Sequence, residues 1–527
     1  MADKICAYDG CNEPVNSPHD NEYCVFHAPK DKKGITGEEF NKLIFKKLDR
    51  KDYNFRGYVF PIASNFGNRR FEESADFACC EFNGDVNFAY AIFEDSVDFT
   101  NLAFKGKALF TSSKFHDIVS FSNVKFEDLA DFENSVFKNY AYFQKCKFKN
   151  KAIFDKAIFE NIATFEEANF ENNASFVLTQ FNNHTVFHDI KIYREMEFRY
   201  IYIGDKCGFD FHNPKFLSNN ILINFDNVRF NPFASYFGNI KFDIKDKPFF
   251  IFRYCQLKDV FFTNNDMSLF SFYKSSYDEA RLISCKWGKT NDRILIFPYK
   301  RKNIIPEESL LKELAKNITD EHQAAQFRDK YHINDLKNYK DISPLYRQMK
   351  TALDNSKDYQ QAGLFYFNEL EMKRRALEDD IENSKPKRKI FQRQPAKWFY
   401  QQFRKIFSKY IFYYLYKVFT GYGEKPLWSS IWFVVYIAVF TILNFCIGIK
   451  IGTKQEDEII KYSDATIWDS LIFTLYRIIP TNYLPFKYTF DVPHNFWGLL
   501  IPFLNTAVLI IMFAFIVIGL KRHFRRF

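Results

Sequence analysis

From Phe66 onward the apolar positions follow a period that neither an α-helix nor a long strand produces. Phenylalanine recurs at 66, 71, 77, 82, 88, 93, 99, 104, 110, 115, 121 and 126, then at 132, 137, 143, 148, 154, 159, 165, 170, 176, 181 and 187. The steps alternate five and six without a break. Two residues before most of these rings stands a small or modest side chain: Ala75, Ala91, Ala108, Ala130, Ala141, Ala152, Ala157, Ala163, Ala168 and Ala174, with Cys80, Val86, Val97, Val119 and Cys146 in the same role elsewhere. A helix amphipathic at 3.6 residues cannot generate this spacing. In extended backbone, residues two apart face the same side. Each unit therefore points one Phe and one small residue inward and its polar residues outward. Repeats this short cannot bury a face alone and must stack on their neighbours.

A small residue two positions before a Phe in units of about five resembles the pentapeptide-repeat family. The resemblance implies a right-handed quadrilateral β-helix with four short sides per coil. Two 11-residue pairs then make a coil of 22 residues. At about 4.8 Å between strands, the strict stretch gives about five coils and a rod of about 27 Å. Phe77, Phe88, Phe99, Phe110, Phe121, Phe132, Phe143, Phe154, Phe165 and Phe176 form the expected stack. The sixth residue of every second unit is expected to bulge at a corner. Looser copies, such as Phe225 with Phe230, Phe237 with Phe242 and Phe262 with Phe270, extend the array over 51–292. Some relatives mimic DNA with an acidic surface. Here Lys105, Lys107, Lys145, Lys147, Lys149 and Lys151 interleave with the acids, which argues against mimicry.

Over 300–394 the pattern turns helical. Ser343-Pro344 reads as an N-cap and first helical residue, with Tyr346, Met349, Ala352 and Leu353 at helical spacing; residues 358–375 pattern a second helix. The two make a docking or coupling hairpin. Residues 395–427 read as a basic, aromatic interfacial helix, since 385–425 hold eleven Lys/Arg against the single acid Glu424. Trp428–Ile449 and Phe496–Leu520 are uncharged and long enough to span a bilayer. Basic residues before the first span and after the second place both termini in the cytoplasm.

The segment between the spans is more than a loop. Residues 467–476 form an apolar helix too short to cross, followed by Arg477-Ile478-Ile479-Pro480-Thr481-Asn482-Tyr483. In layout, 428–527 resembles the two-transmembrane pore-loop domain of ion channels, and its joining to pentapeptide repeats is a bacterial pattern. The resemblance implies a re-entrant pore-type helix, an inner-membrane location, and pore-lining candidates Thr474, Arg477, Pro480, Thr481, Asn482 and Tyr483. A potassium filter needs Gly-rich carbonyl rings, which this position lacks. Gly421-Tyr422-Gly423 precedes the first full span on the cytoplasmic side and reads as a turn.

The N-terminus adds separate chemistry. Cys6, Cys11, Cys24 and His27 give C-x4-C-x12-C-x2-H, the two close pairs a tetrahedral zinc ion needs. Residues 1–34 are too few for a core, so a structural Zn2+ is expected to hold this knuckle together. Thr36 and Glu39 make a capping box that opens a short helix over 35–50. The polar start reads as lacking a secretory signal, so the other cysteines are expected to stay reduced.

Composition changes little. The 527 residues are too many for one core. A net charge of +9 would suggest nucleic acid as partner; its concentration before the first span points to membrane topology instead. No Walker loop, dinucleotide fingerprint, H-E-x-x-H or nucleophile elbow occurs, so no enzyme is expected. The leading expectation is an oligomeric channel, a tetramer, whose solenoid senses or binds an unidentified cytoplasmic protein or ligand. The alternatives are a membrane-tethered scaffold that does not conduct, and a toxin or defence effector that depolarises membranes.

Overall fold

The computed structural model describes residues 4–16, 19–205, 207–218, 221–232, 234–241, 249–294, 297–318, 320–383, 408–423, 426–453, 461–476 and 488–524. The chain divides into two compact units, one of residues 1–291 with 300–362, the other of 292–299 with 363–527.

The first unit is a four-sided parallel β-solenoid. Among the described residues its sides are sheets of eight, ten, seven and ten strands. Successive coils pair 22 residues apart, Ala108 with Ala130 and Ala130 with Ala152. The ten-strand sides run on to Phe270–Ser271 and Arg281–Ile283, so the looser copies continue the array, with Phe242 outside the described residues. Inside, the rings sort into columns. Phe77, Phe99, Phe121, Phe143 and Phe165 stack with centroids 4.9–5.2 Å apart. Phe88, Phe110, Phe132, Phe154 and Phe176 stack at 4.9–5.0 Å. The two columns meet edge to face, as at Phe110 and Phe121, 5.3 Å and 84°. Both arrangements suit the aromatic quadrupole, and the strand spacing sets the ring spacing.

The corners are of two kinds. The six-residue step takes its extra residue at a wide corner, where an Asp or Asn side chain accepts from the next backbone N–H: Asp117 to Ile118, Asp128 to Leu129, Asn150 to Lys151. These side chains also bond from coil to coil, Asn139 donating to Asp117 and Asn183 to Asn161. The five-residue step closes a tight turn whose second residue is left-handed, every eleventh residue from Asn68 through Cys79, Tyr90 and Asn101 to Leu178. Backbone strain therefore sits at the shorter unit, not at the extra residue. Polar side chains at the small inward positions donate to carbonyls, Ser135 Oγ to Phe132 O at 2.6 Å and Cys146 Sγ to Phe121 O at 2.9 Å, which offsets their burial.

Both ends are covered. Helix α1 (Gly37–Asp49) starts on the expected reciprocal Thr36–Glu39 capping box and buries Phe40, Ile44 and Leu48. The Phe40 ring lies 5.5 Å from Phe60 of the first coil. At the other end stand α2 (Pro306–Asn317), α3 (Glu321–Lys330) and α4 (Tyr339–Asn355). Glu307 accepts from the Phe272 N–H and the Ser271 hydroxyl, and the Tyr277 hydroxyl donates to Leu345 O at 2.6 Å. Ser343-Pro344 does not start a helix. An Asn338–Asp341 capping box opens α4 five residues before Pro344, and the proline sits inside it. Both reciprocal bonds of the Asn338–Asp341 box are made, and they set the start upstream of the proline.

The second unit is helical. It contains most of α5 (Tyr359–Asn383), then α6 (Ser408–Thr420), α7 (Pro426–Ile447), α8 (Ile467–Tyr476) and α9 (Phe496–Phe524). The part of the expected interfacial helix before Ser408 lies outside the described residues. A three-stranded antiparallel sheet of Lys461–Asp464, Lys450–Thr453 and Tyr488–Asp491 flanks α8 in sequence, and nothing in the hydropathy pattern announces it.

Candidate metal centre and membrane helices

The four N-terminal ligand residues converge, their candidate ligand atoms all within 4.8 Å of one another. Cys11 Sγ lies 3.8 Å from Cys24 Sγ, and His27 Nδ1 lies 3.1 Å from Cys24 Sγ and 3.5 Å from Cys6 Sγ. A tetrahedral ion with metal–sulfur bonds of about 2.3 Å and metal–nitrogen bonds of about 2.0 Å needs edges of about 3.8 and 3.5 Å. The cluster therefore has the dimensions of a metal site.

The surroundings orient it. His27 Nε2 faces the carbonyl of Arg56 at 3.0 Å; it donates its proton there, which leaves Nδ1 free to ligate. The Tyr8 ring stacks on the imidazole at 4.1 Å, and the Cys24 N–H donates to Cys6 Sγ at 3.3 Å. Burial pushes the Cys24 thiol up to about 12, so binding an ion there displaces a proton. Lys33, 1% exposed, donates to the carbonyls of Val25 and Phe26 at 2.8 and 3.1 Å. Burial pushes the Lys33 ammonium down to about 7, against the pull of Cys24. The knuckle is also joined to the solenoid: Val59 N donates to Phe26 O at 3.0 Å, and Phe26 stacks on Tyr58 at 4.7 Å.

In the second unit, Trp428–Ile447 and Phe496–Ile518 are long and apolar enough to cross a membrane. Between them in sequence, α8 begins at the expected residue and packs on α7. Asn444 Nδ2 of α7 donates to Thr474 Oγ1 of α8 at 3.0 Å, and Thr474 in turn donates to Ser470 O. Asn444, Ser470 and Thr474 are fully buried. Thr474 is thus held inside the unit, against α7. Arg477, Pro480, Thr481, Asn482 and Tyr483 lie outside the described residues. Gly421-Tyr422-Gly423 is a buried turn between α6 and α7, with φ of 54°, 59° and 83°. That left-handed run explains the glycines without a filter. Sequence reasoning missed Asn444, whose only signal is one amide in an apolar run.

Comparison with known families matches residues 110–150 and 143–191 to the model for pentapeptide repeats (9 copies). Comparisons with curated proteins and with solved structures returned no match. Residues 110–191 are therefore pentapeptide repeats, and they form the regular middle of the solenoid.

Proposed function

We propose that the chain is one subunit of an oligomeric channel in a bacterial inner membrane, α7 and α9 spanning it with both termini cytoplasmic. The solenoid is its cytoplasmic sensing or interaction module, and the Cys3His cluster holds a structural Zn2+. One observation carries the channel reading: a ten-residue apolar helix, α8, lies between two candidate spans in sequence and bonds to the first through Asn444 and Thr474. A loop between two anchors needs no such bond, whereas a helix entering the bilayer must satisfy its polar groups against protein. Two spans per subunit enclose no conduit, so the reading requires several copies, four being the expected number.

The test is ion flux into liposomes that hold the purified protein, with subunit number measured in the same bilayers. Flux that changes in Arg477, Thr481 and Asn482 variants, and falls in Asn444→Leu, is the expected result. A monomer in bilayers would overturn the channel reading in favour of a tethered scaffold.

A further inference from the structure

The second unit contains a fully buried carboxylate, Glu371 of α5, that collects donors from three elements. Lys417 Nζ of α6 lies 3.0 Å from it, and the hydroxyl of Tyr422, from the Gly-Tyr-Gly turn, donates to Oε2 at 3.2 Å. Arg374 and Arg375 of α5 itself add bonds of 3.1 and 3.2 Å to Oε1. Side-chain exposure is 1% at Glu371, 9% at Lys417 and 10% at Arg374. Burial pushes the Glu371 carboxyl up, but Lys417 and Arg374 outweigh it and hold the group well below the usual carboxylate range.

An apolar cluster surrounds these bonds. The Tyr422 ring packs on Phe367 of α5 at 5.0 Å and on Tyr416 of α6 at 5.7 Å, and Tyr416 stacks on Phe515 of α9 at 5.6 Å. The turn is closed from within by Gly423 N, which donates to Thr420 Oγ1 at 3.0 Å. Tyr422 has φ 59°, a conformation that a bulky residue keeps only when its surroundings over-determine it. Its hydroxyl ends on a carboxylate that belongs to another helix.

We propose that Glu371 is a latch: it ties the connector helix α5 to α6 and to the turn that begins α7, so that a displacement of α5 reaches the first candidate span. The latch deepens the channel reading by naming the contact through which a cytoplasmic event would bias the membrane helices. It can be tested without flux, so failure of either reading is seen separately.

The physics of buried ion pairs supplies the test. Removing one partner strands the other charge, whereas removing both is close to neutral. Amide exchange over 416–423 is measured in the full chain in lipid nanodiscs. Glu371→Gln is expected to speed exchange there by about tenfold or more, by stranding Lys417 and taking one of its two carboxylate partners from Arg374, with the coils at 110–191 unchanged. Adding Lys417→Met to that variant is expected to restore much of the protection, because Arg374 keeps its bond to Glu378. Ala376→Pro, which breaks α5 one turn beyond the latch, is expected to speed exchange over 416–423 in the native background and to add nothing in the double variant. Unchanged exchange in Glu371→Gln, or an equal effect of Ala376→Pro in both backgrounds, overturns the proposal. If Glu371→Gln yields no folded protein, Tyr422→Phe replaces it: it removes the turn's bond to Glu371 without stranding a charge, so faster exchange over 416–423 is expected, and unchanged exchange overturns the proposal.

Discussion

Phe132 is fully buried, faced by Phe110 and Phe154 at 4.9 Å each and edged by Phe121 and Phe143 at 5.3 and 5.4 Å. Truncating it to Ala should cost about 3–5 kcal/mol, the range for large aromatic deletions in a rigid core. Phe132→Asp adds a charge with no partner inside the column and should unfold the coils beside it, lowering the β signal in circular dichroism; a variant that melts like the native chain would disprove the stacking account. The opposite sign is expected at Leu178, which is 47% exposed at φ 59°. Asn68, Asn101, Asn123 and Asn134 hold the same corner elsewhere, and Asn tolerates the left-handed region where Leu does not. Leu178→Asn should raise stability by about 0.5–1 kcal/mol, read as a higher denaturant midpoint with an unchanged slope. A lower midpoint would mean the Leu178 side chain does more than occupy a strained corner. These corners show why the sequence displays the Phe columns but not the turns. The rings are one residue type at one spacing, whereas Tyr90, Ser112, Lys145, Glu167 and Leu178 share only a backbone angle.

Among elements, α2 reaches the last coil through the Glu307 side chain. A terminal strand leaves N–H groups unpaired, and Glu307, 2% exposed, accepts from Phe272 N at 2.8 Å and Ser271 Oγ at 2.9 Å. Burial pushes its carboxyl above the ordinary value, against the pull of those hydrogen bonds. The sign follows directly. Below the unfolded value of about 4.3 both states are protonated and the contribution is full; as pH rises toward the folded value, the native state holds a proton that the unfolded chain has released, and stability falls. Glu307→Gln keeps the acceptor and removes the proton, so it should match the native chain near pH 4 and exceed it at pH 8. Glu307→Ala should cost about 1–3 kcal/mol at either pH by orphaning the Phe272 N–H. Identical pH profiles for the native chain and the Gln variant would remove Glu307 from this role. None of this was legible in the sequence, because Glu in a first helical turn, here Glu307 beside Glu308, usually answers the helix dipole; its partners lie 35 and 36 residues earlier. The Thr36–Glu39 box and the limits of α8 were legible because their signals are local.

At the scale of the first unit, a solenoid is held coil by coil, and its ends decide where it frays. The Phe period gave away the rod, and the spacing of the Cys and His pairs gave away the cluster. What the sequence hid is that they are one structure, since the His27 bond to Arg56 and the Phe26 bond to Val59 run through backbone carbonyls. A Zn2+ held by Cys6, Cys11, Cys24 and His27 would therefore do more than fold a short tail: it would fix the lid on the first coil. Removing the ion, by chelation or by Cys24→Ser, should release Phe26 from Tyr58 and expose the strand at Val59–Phe60 as an open edge. Amide exchange over 53–66 should then rise by about tenfold or more, and metal content should fall from one ion per chain to none. Nearest-neighbour coupling confines the damage, so coils in 143–191 should keep their protection. Equal loss along the whole rod would mean the metal sets global stability, and no loss at the first coil would mean the knuckle is a separate module. Only loss graded from the N-terminal end fits a metal that caps the stack.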